Sequence, residues 1–365
     1  MTATTATNSA TASTTPAARA QAFCQRFGLQ HPILLAPMAG ACPPALSAAV
    51  MRAGGLGACG ALLMAPDAIV QWAEAVRAAA SGPFQINLWV PDPAPLRDAA
   101  HEQALCSFLG GFGPAVSPAA GDATPPDFNA QCEALLAAQA PIVSSVMGLF
   151  PPAFVQRLKA AGIAWWANIS TVAEAQAAEA AGADVVVAQG MEAGGHRGCF
   201  DAARAEAQQV GLFALLPAVA DAVRLPVVAT GGIADARGVA AAFALGASAV
   251  QVGTGFLRAP EAGLPPAWAD ALARTAPEDT QLTRAFSGRA GRSISTGYVQ
   301  AAAAPGAPVP APYPVQRGLT AAMRAQATAD ADVQRMQAWA GQSARLAPAW
   351  PAAQTVLALA AGVPR

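Results

Sequence analysis

Three segments of this 365-residue chain each join a short apolar run to a glycine-rich turn. The run 185–188 (VVVA) leads into the loop 189–198 (QGMEAGGHRG), and the segments 226–233 (PVVATGGI) and 249–255 (AVQVGTG) repeat the arrangement. Strand, glycine turn and helix at regular spacing are typical of parallel β/α units. Ligands of such folds bind at the carboxyl ends of the strands. The sequence therefore predicts one binding site built from several strand ends.

Eight strand candidates can be counted along the chain. Five short apolar or β-branched runs, at 33–36, 57–61, 84–88, 142–146 and 164–169, precede the three glycine-tipped runs. Alanine-rich helical segments lie between them, and Gly162, Gly182 and Gly246 mark helix ends just before a strand. This alternation predicts an α/β fold of the (β/α)8 TIM-barrel type, for which one domain of about 250 residues is normal.

Two regions of the chain are additional to the eight β/α units of a minimal barrel. The segment 91–141, after strand three, is unusually long and includes the Gly/Pro-rich stretch 110–126, which predicts an inserted helical and loop excursion. After strand eight we expect helical stretches, an Ala/Pro linker at 301–314 and a C-terminal helical extension from 315 to about 361. The predicted divisions are a disordered leader at 1–22, the barrel at 23–300, and the linker with a helical cap at 301–365. The sequence leaves open whether the last region is a separate domain.

Composition excludes several classes of function. The net charge is −1, only 12% of the residues are charged, and Lys159 is the one lysine, so a basic surface for nucleic acid is absent. Every apolar run is broken well short of the roughly 20 residues of a membrane span, which predicts a soluble protein. The six cysteines show neither C-x-x-C nor zinc spacing, and residues 1–20 lack the features of a signal peptide. We therefore expect free thiols and a cytoplasmic location.

The loops after the seventh and eighth strands have the form of a phosphate cradle. Gly231-Gly232 and Gly253-Thr254-Gly255 would let backbone N–H groups approach a phosphate with no Cβ in the way. In α/β barrels a phosphate commonly binds between these two loops. The alternative is that the glycines only form tight turns. Neither loop matches the G-x-G-x-x-G pattern of doubly wound nucleotide-binding sheets.

Three amide side chains lie in or at the end of apolar strands, where an amide is costly unless it is hydrogen-bonded. Asn87 and Gln189 can donate and accept at the edge of a flat heteroaromatic ring. Gln251 would serve similarly near a phosphate or a ribityl chain. The alternative for each is a core amide satisfied by the neighbouring backbone.

His196 is the candidate acid–base residue. It is one of three histidines, it stands among glycines, and an imidazole can take or give a proton near pH 7. Glu192 is an alternative acid or base, but the sequence favours a loop carboxylate that orients the imidazole or pairs with Arg197. Because Lys159 falls in a helical segment away from every strand end, a Schiff-base aldolase is excluded. Clustered metal ligands at strand ends are also missing, so metal hydrolase chemistry is not expected.

Four motifs carry a family resemblance. They are Ala36-Pro37-Met38-Ala39-Gly40, Gln189-Gly190-x-Glu192-Ala193-Gly194-Gly195-His196, Ala229-Thr230-Gly231-Gly232-Ile233 and Gln251-Val252-Gly253-Thr254, in this order. With them the chain resembles the nitronate monooxygenases, formerly called 2-nitropropane dioxygenases, from about residue 33 to 257, with echoes at 286–289 and 339–342. The resemblance implies an FMN-bearing barrel that oxidises alkyl nitronates with O₂ to a carbonyl compound and nitrite, by single-electron transfer to the flavin.

Carried over by position, the resemblance also implies residue roles. His196 would be the catalytic residue, which deprotonates a neutral nitroalkane or holds the anionic nitronate. The FMN-binding residues that it implies are Ala36, Pro37, Met38, Asn87, Gln189, Gly194, Gly231, Gly232, Gln251, Val252, Gly253 and Thr254. No metal is implied, and the expected partners are a small nitronate and O₂.

Two other functions stay open at this point. The same pattern resembles flavin-dependent enoyl-acyl carrier protein reductases, which need NAD(P)H and a channel for an acyl chain, although no sequence feature demands either. The third interpretation is a flavin-binding protein without turnover, and the presence of His196 in the loop argues against it. Because the segment 91–141 and the C-terminus match no family motif, the physiological substrate and the oligomeric state are not predicted.

Overall fold

Eleven strands are found in residues 15–365, the part of the chain that the computed structural model describes. They are β1 (Ile33–Leu35), β2 (Gly57–Gly60), β3 (Phe84–Trp89), β4 (Ile142–Val146), β5 (Ala164–Ile169), β6 (Val185–Gln189), β7 (Gly195–His196), β8 (Val227–Thr230), β9 (Ala249–Val252), β10 (Thr280–Thr283) and β11 (Gly291–Ile294). Eight of them form one parallel sheet in the order β1-β9-β8-β6-β5-β4-β3-β2. Leu34 in β1 also pairs with Leu56, just before β2, and this pairing closes the sheet. The predicted TIM barrel is confirmed.

Helices alternate with the barrel strands. They are α1 (Pro16–Phe27), α2 (Pro44–Arg52), α3 (Pro66–Ala79), α4 (Ala99–Leu109), α5 (Phe128–Ala137), α6 (Pro152–Ala160), α7 (Val172–Ala180), α8 (Leu212–Ala222), α9 (Ala236–Ala244), α10 (Pro266–Arg274), α11 (Gly297–Ala302), α12 (Val315–Leu319), α13 (Ala321–Ala329) and α14 (Ala352–Ala360). The predicted helix ends at Gly162 and Gly246 are confirmed. Both glycines have positive φ angles, 69° and 113°, which a residue with a Cβ adopts only with strain.

The first helix closes the amino-terminal end of the barrel. Phe23 of α1 is buried against Trp166 of β5, with ring centroids 5.6 Å apart, and Phe27 packs on the same indole at 5.0 Å. Inward-facing residues near the strand starts, such as Val185 and Ala249, belong to the same apolar cluster. The prediction of a disordered leader over 1–22 is therefore wrong for residues 16–22, since burial of Phe23 stabilises the helix. Residues 1–14 lie outside the described part of the chain.

The insertion 91–141 and the C-terminal region share a second hydrophobic core. The insertion supplies α4, a 3-10 turn at Pro118–Asp122, and α5. Leu105 and Leu109 of α4 cluster with Leu319 and Met323 from the C-terminal region. Tyr313, just before α12, stacks on Trp89 at the end of β3, with ring centroids 4.8 Å apart. The two regions that the sequence set apart from the barrel thus pack together beside the carboxyl end of β3.

The C-terminal region is less helical than the sequence indicates. The prediction of helix from 315 to about 361 is wrong for residues 330–351, which are mostly irregular with a 3-10 turn at Ala344–Leu346. The final helix, α14, packs against α2 and α9 of the barrel wall. It therefore belongs to the outer helical layer, and only the preceding segment extends over the strand ends.

A small antiparallel sheet follows the barrel where only helices are predicted. Its strands are ordered β10-β11-β7, so the expectation of purely helical structure after strand eight is wrong for residues 280–294. In this sheet Gly291 pairs with His196 and Arg292 pairs with Gly195. The sheet gives the histidine loop a defined backbone conformation.

Three further features of the described chain concern membrane spans, disulfides and metal sites. Within residues 15–365, none of the helices combines the length and the apolar character of a bilayer span. All six cysteines, each of which lies in this range, are free thiols. The same residues contain no group of three or more potential metal ligands.

Candidate active site

A cavity of about 440 Å³ lies at the carboxyl ends of the barrel strands. Its size is in the range of a small-molecule or cofactor site. The predicted site residues that line it are Ala36, Pro37, Met38, Asn87, Gln189, Gly194, His196, Gly231, Gly232, Gln251, Gly253 and Thr254. Val252 differs from the others: its side chain is buried outside the lining, and its carbonyl accepts the N–H of Ala36 at 2.9 Å. The strand ends thus bring nearly the whole predicted set around one cavity.

The loops after β8 and β9 offer unpaired backbone donors. Gly231 and Gly232 have φ angles of 116° and 71°. Among residues 15–365, no protein acceptor receives the N–H groups of Gly231, Gly232 or Gly253. Ser343, from the C-terminal segment, donates its hydroxyl to the carbonyl of Gly232 and so fixes the loop. Because successive free N–H groups beside a cavity form an anion site, these loops fit a phosphate better than they fit simple tight turns.

Gly194 lies where the histidine loop, the β9 loop and the C-terminal segment meet. A Cβ at this position would lie 2.5 Å from the nitrogen of Gly341 and 3.0 Å from Thr254 Oγ1. The N–H of Gly341 donates to Thr254 Oγ1 at 3.0 Å. Glycine is therefore required for the close approach of these chains, and the Thr254 hydroxyl helps to hold the C-terminal segment over the cavity.

A chain of hydrogen bonds orients the polar side chains of β3, β4 and β9. The hydroxyl of Ser144 donates to Gln85 Oε1 at 2.9 Å and accepts from Asn87 Nδ2 at 3.0 Å. Gln85 Nε2 donates to Gln251 Oε1 at 2.9 Å. Within the described residues, this arrangement leaves Asn87 Oδ1 and Gln251 Nε2 without protein partners. One acceptor and one donor are thus available to a polar heterocycle in the cavity.

Gln189 has a different environment, because its amide is largely occupied by the histidine loop. Its Nε2 donates to the carbonyl of His196 at 3.0 Å, and its Oε1 accepts the N–H of Gly198 at 2.7 Å. The alternative from the sequence, a core amide satisfied by the neighbouring backbone, therefore accounts for most of the hydrogen bonds of Gln189. One N–H of the amide is left for a ligand, and the main effect of Gln189 is to position the loop that carries His196.

The imidazole of His196 lies between two indoles. Its ring centroid is 4.9 Å from that of Trp89 and 4.9 Å from that of Trp339. His196 Nε2 is 2.8 Å from Ser287 Oγ, and the Ser287 hydroxyl donates to the carbonyl of Arg289 at 3.2 Å. Since that hydroxyl has a single proton, we assign the N–H of the imidazole to Nε2. The lone pair then lies on Nδ1.

Burial and nearby positive charge keep His196 neutral. Burial lowers the pKa of His196 to about 3, and the charges of Arg317 and Arg289 act in the same direction. The Arg289 guanidinium is paired with Asp92, with Nε to Oδ2 at 2.9 Å. The imidazole is therefore neutral near pH 7, and it is a weak base towards a carbon acid.

Two sequence hypotheses about the neighbours of His196 are wrong. Glu192 does not orient the imidazole, because its carboxylate accepts the N–H of Leu212 at 2.9 and 3.0 Å. Arg197 does not pair with Glu192. Its guanidinium donates to the carbonyls of Gln189 at 2.5 Å and Gln208 at 3.1 Å. Both side chains brace the loop, and Ser287 is the partner of the imidazole.

Several cavity residues escape the sequence analysis. They are Gln85, Trp89, Ser144, Arg317 and Trp339, which line the cavity, and Ser287, which contacts the imidazole. A signal existed for Gln85, because it lies two residues before Asn87 and so shares its face of β3. Ser287 and Trp339 fall in the motif echoes at 286–289 and 339–342, but those echoes indicated no contact with His196. Arg317 had no local signal, since its position beside the cavity depends on contacts between distant segments.

Comparison with known proteins places the chain in a family. The family model described as nitronate monooxygenase matches residues 21–362. The chain belongs to the nitronate monooxygenase family. The match extends beyond the motif-bearing region 33–257 and includes both the insertion and the C-terminal segment. The predicted resemblance is confirmed, and the chain is an enzyme of the oxidoreductase class.

Individual relatives agree with this membership. A nitronate monooxygenase of Paraburkholderia phytofirmans is 40% identical over 346 residues, which cover 93% of this chain and 94% of that protein. A probable nitronate monooxygenase of Staphylococcus aureus is 34% identical over 331 residues, which cover 90% and 93% of the two chains. These nitronate monooxygenases match the chain almost from end to end.

Solved structures show the same likeness. The nitroalkane oxidase of Streptomyces ansochromogenes superposes with a TM-score of 0.83 at 37% identity, covering 94% of this chain and 97% of that one. FabK from Thermotoga maritima gives a TM-score of 0.72 at 29% identity and covers 93% and 94%. The nitronate monooxygenase family therefore shares its barrel with FabK, and this chain is more similar to the nitroalkane oxidase.

Proposed function

We propose that this protein oxidises alkyl nitronates with O₂ to a carbonyl compound and nitrite, with FMN as its cofactor. The observation that carries the proposal is the neutral His196 in a cavity whose lining, drawn from residues 15–365, contains no Asp or Glu. Such a lining suits an anion that is already deprotonated. Membership of the nitronate monooxygenase family and the likeness to a nitroalkane oxidase support the same activity.

Family membership implies a flavin, and the cavity favours FMN. A single cradle of free N–H groups, from Gly231, Gly232 and Gly253, suits one phosphate. Asn87 Oδ1 and Gln251 Nε2 would pair with polar atoms of the ring or the ribityl chain. The remaining residues proposed to hold FMN are Ala36, Pro37, Met38, Gln189, Gly194 and Thr254, and Val252, which lies behind the lining, is proposed to support the loop after β9. When bound, the flavin supplies the electron acceptor for the nitronate and the electron donor for O₂.

His196 would act on the substrate beside the flavin. With its N–H held by Ser287, the imidazole directs the Nδ1 lone pair away from that bond. The pKa of about 3 makes proton removal from a neutral nitroalkane unfavourable. A nitronate needs no such step. We therefore expect the nitronate to be the better substrate, with the indoles of Trp89 and Trp339 limiting the space around its reacting carbon.

The products of aerobic turnover test the proposal. With ethyl nitronate as the substrate and no NAD(P)H present, we expect O₂ uptake together with nitrite and acetaldehyde in equal amounts. Nitrite is measured colorimetrically and acetaldehyde by trapping as a hydrazone. O₂ uptake without nitrite, in protein that contains its flavin, would contradict the proposed reaction.

A second candidate function is an enoyl-thioester reductase that uses NAD(P)H. The observation in its favour is the superposition on FabK over nearly the whole chain. The lower TM-score and identity of that match, compared with the nitroalkane oxidase, make it the alternative. A flavin-binding protein without turnover is a third candidate, which the placement of His196 in the cavity does not favour.

A further inference from the structure

Arg317 is the one charged side chain that the described residues contribute to the cavity lining. All other lining residues are apolar, glycine, neutral polar or the neutral His196. Within residues 15–365, the Arg317 guanidinium has no hydrogen bond or ion pair with the protein. Burial lowers the pKa of Arg317, and among the described residues no Asp or Glu carboxylate offsets this effect. A largely buried guanidinium without a partner is costly unless an anion occupies the space beside it.

Arg317 lies on the side of the barrel opposite the phosphate cradle. It belongs to α12, and Tyr313, four residues earlier, stacks on Trp89 of β3. Trp89 in turn contacts His196. In the eight-stranded order, β3 stands across the barrel from β8 and β9, whose loops form the cradle. The guanidinium is therefore placed for a ligand beside His196 and away from the phosphate of a cofactor.

Neighbouring arginines differ from Arg317 because the protein satisfies them. Arg289 is paired with Asp92. Arg324 donates to the carbonyl of Arg317 at 2.9 Å and to Gln337 Oε1 at 3.4 Å. These two side chains hold the local structure and add to the positive potential. Of the three arginines, Arg317 is the one whose donors are not already used.

We propose that Arg317 is a specificity-determining residue that binds the two oxygens of an anionic nitronate and thereby selects the anion over the neutral nitroalkane. The inference rests on the proposed function, because it names how that site recognises its substrate. A guanidinium presents paired N–H donors that match two oxygens on one atom. The nitronate then lies between Arg317 and His196, with its reacting carbon close to the indoles.

Arg317→Gln tests this assignment, because it removes the charge and keeps polar atoms. We expect the KM for ethyl nitronate to rise about 10-fold to 100-fold, the scale of a lost hydrogen bond to a charged group, with flavin content unchanged. The KM for neutral nitroethane should change by less than about 3-fold. Arg317→Lys should recover part of the lost affinity. Arg224→Gln removes the same charge from an exposed position near the start of β8 and should behave like the wild type.

A binding measurement separates this inference from the proposed reaction. Nitrite has two oxygens on one nitrogen, as a nitronate has, and its binding to the flavin-containing enzyme can be followed by calorimetry without turnover. We expect Arg317→Gln to weaken nitrite binding about 10-fold or more. Equal losses for the neutral and the anionic substrate, lost flavin, or unchanged nitrite affinity would overturn the role of Arg317. If the wild type binds nitrite through Arg317 but does not oxidise nitronates, the proposed reaction fails and the anion site stands.

Discussion

Gly232→Val should lose its flavin and still fold. Gly232 has a φ of +71°, and a Cβ there would lie 3.2 Å from Glu192 Cβ. Valine does not adopt this backbone conformation without strain of about 1–3 kcal/mol. The loop is expected to relax, which moves its free N–H groups out of the cradle, and flavin binding then has to restore the strained form. Since about 1.4 kcal/mol is a factor of ten, we expect the affinity for FMN to fall on the order of 100-fold.

Gly263→Val is the matched control for this prediction. Gly263 is exposed and has a φ of +62°, and a Cβ added there would meet no heavy atom of residues 15–365 within 4 Å. It therefore has similar backbone strain but lies outside the cavity lining. The measurement is the ratio of flavin to protein after gel filtration, with circular dichroism as the check on folding. Unchanged flavin in Gly232→Val, or the same loss in both variants, would mean that the cradle lies elsewhere.

His196→Asn should separate the two roles of the imidazole. Asparagine keeps some hydrogen bonding but cannot take up the proton of a carbon acid. If His196 removes the proton from neutral nitroalkanes, their kcat/KM should fall by about 100-fold or more. Ethyl nitronate, which has already lost that proton, should keep most of its turnover. Parallel losses for both substrates, mainly in KM, would instead make His196 an anion-binding residue, and no loss for either would remove it from the site.

The same variant tests the neutral state of His196. The pKa of the imidazole is about 3 in the folded protein and 6.5 as its ordinary value. As the pH falls below about 6.5, the unfolded chain gains a proton that the folded protein does not, so the stability should decrease. The stability that the neutral imidazole contributes is fully present above that pH. We expect the free energy of unfolding in urea to fall less between about pH 7 and about pH 5 in His196→Asn than in the wild type, at equal flavin content.

The barrel was predictable because its signals are local. Each parallel strand is a short apolar run, and glycines such as Gly162 and Gly246 end the helices before the next strand. The spacing of apolar residues and the residue types at helix ends carry this information within about ten residues. The cradle glycines and His196 were found in the same way, since both lie directly after strands whose carboxyl ends must converge.

What was missed depends on contacts between distant segments. Ser287 reaches His196 across 91 residues of sequence, and Trp339 reaches it from the C-terminal segment. The hairpin of β10 and β11 is too short to show a clear alternation, and it is stabilised by pairing with the histidine loop. The leader prediction failed at residues 16–22 because the helix depends on burying Phe23 against Trp166. The motif echoes at 286–289 and 339–342 include Ser287 and Trp339, but no local pattern shows which residues these side chains contact.

In the proposed reaction a nitronate, and not NAD(P)H, supplies the electrons to the flavin. The most direct measurement is anaerobic stopped-flow mixing of the purified, flavin-containing protein with ethyl nitronate or with NADPH, followed at the visible absorbance of the flavin. We expect rapid bleaching with ethyl nitronate and slow or no bleaching with NADPH or NADH. Rapid bleaching with NADPH, followed by reoxidation with an enoyl thioester, and no response to the nitronate would contradict it.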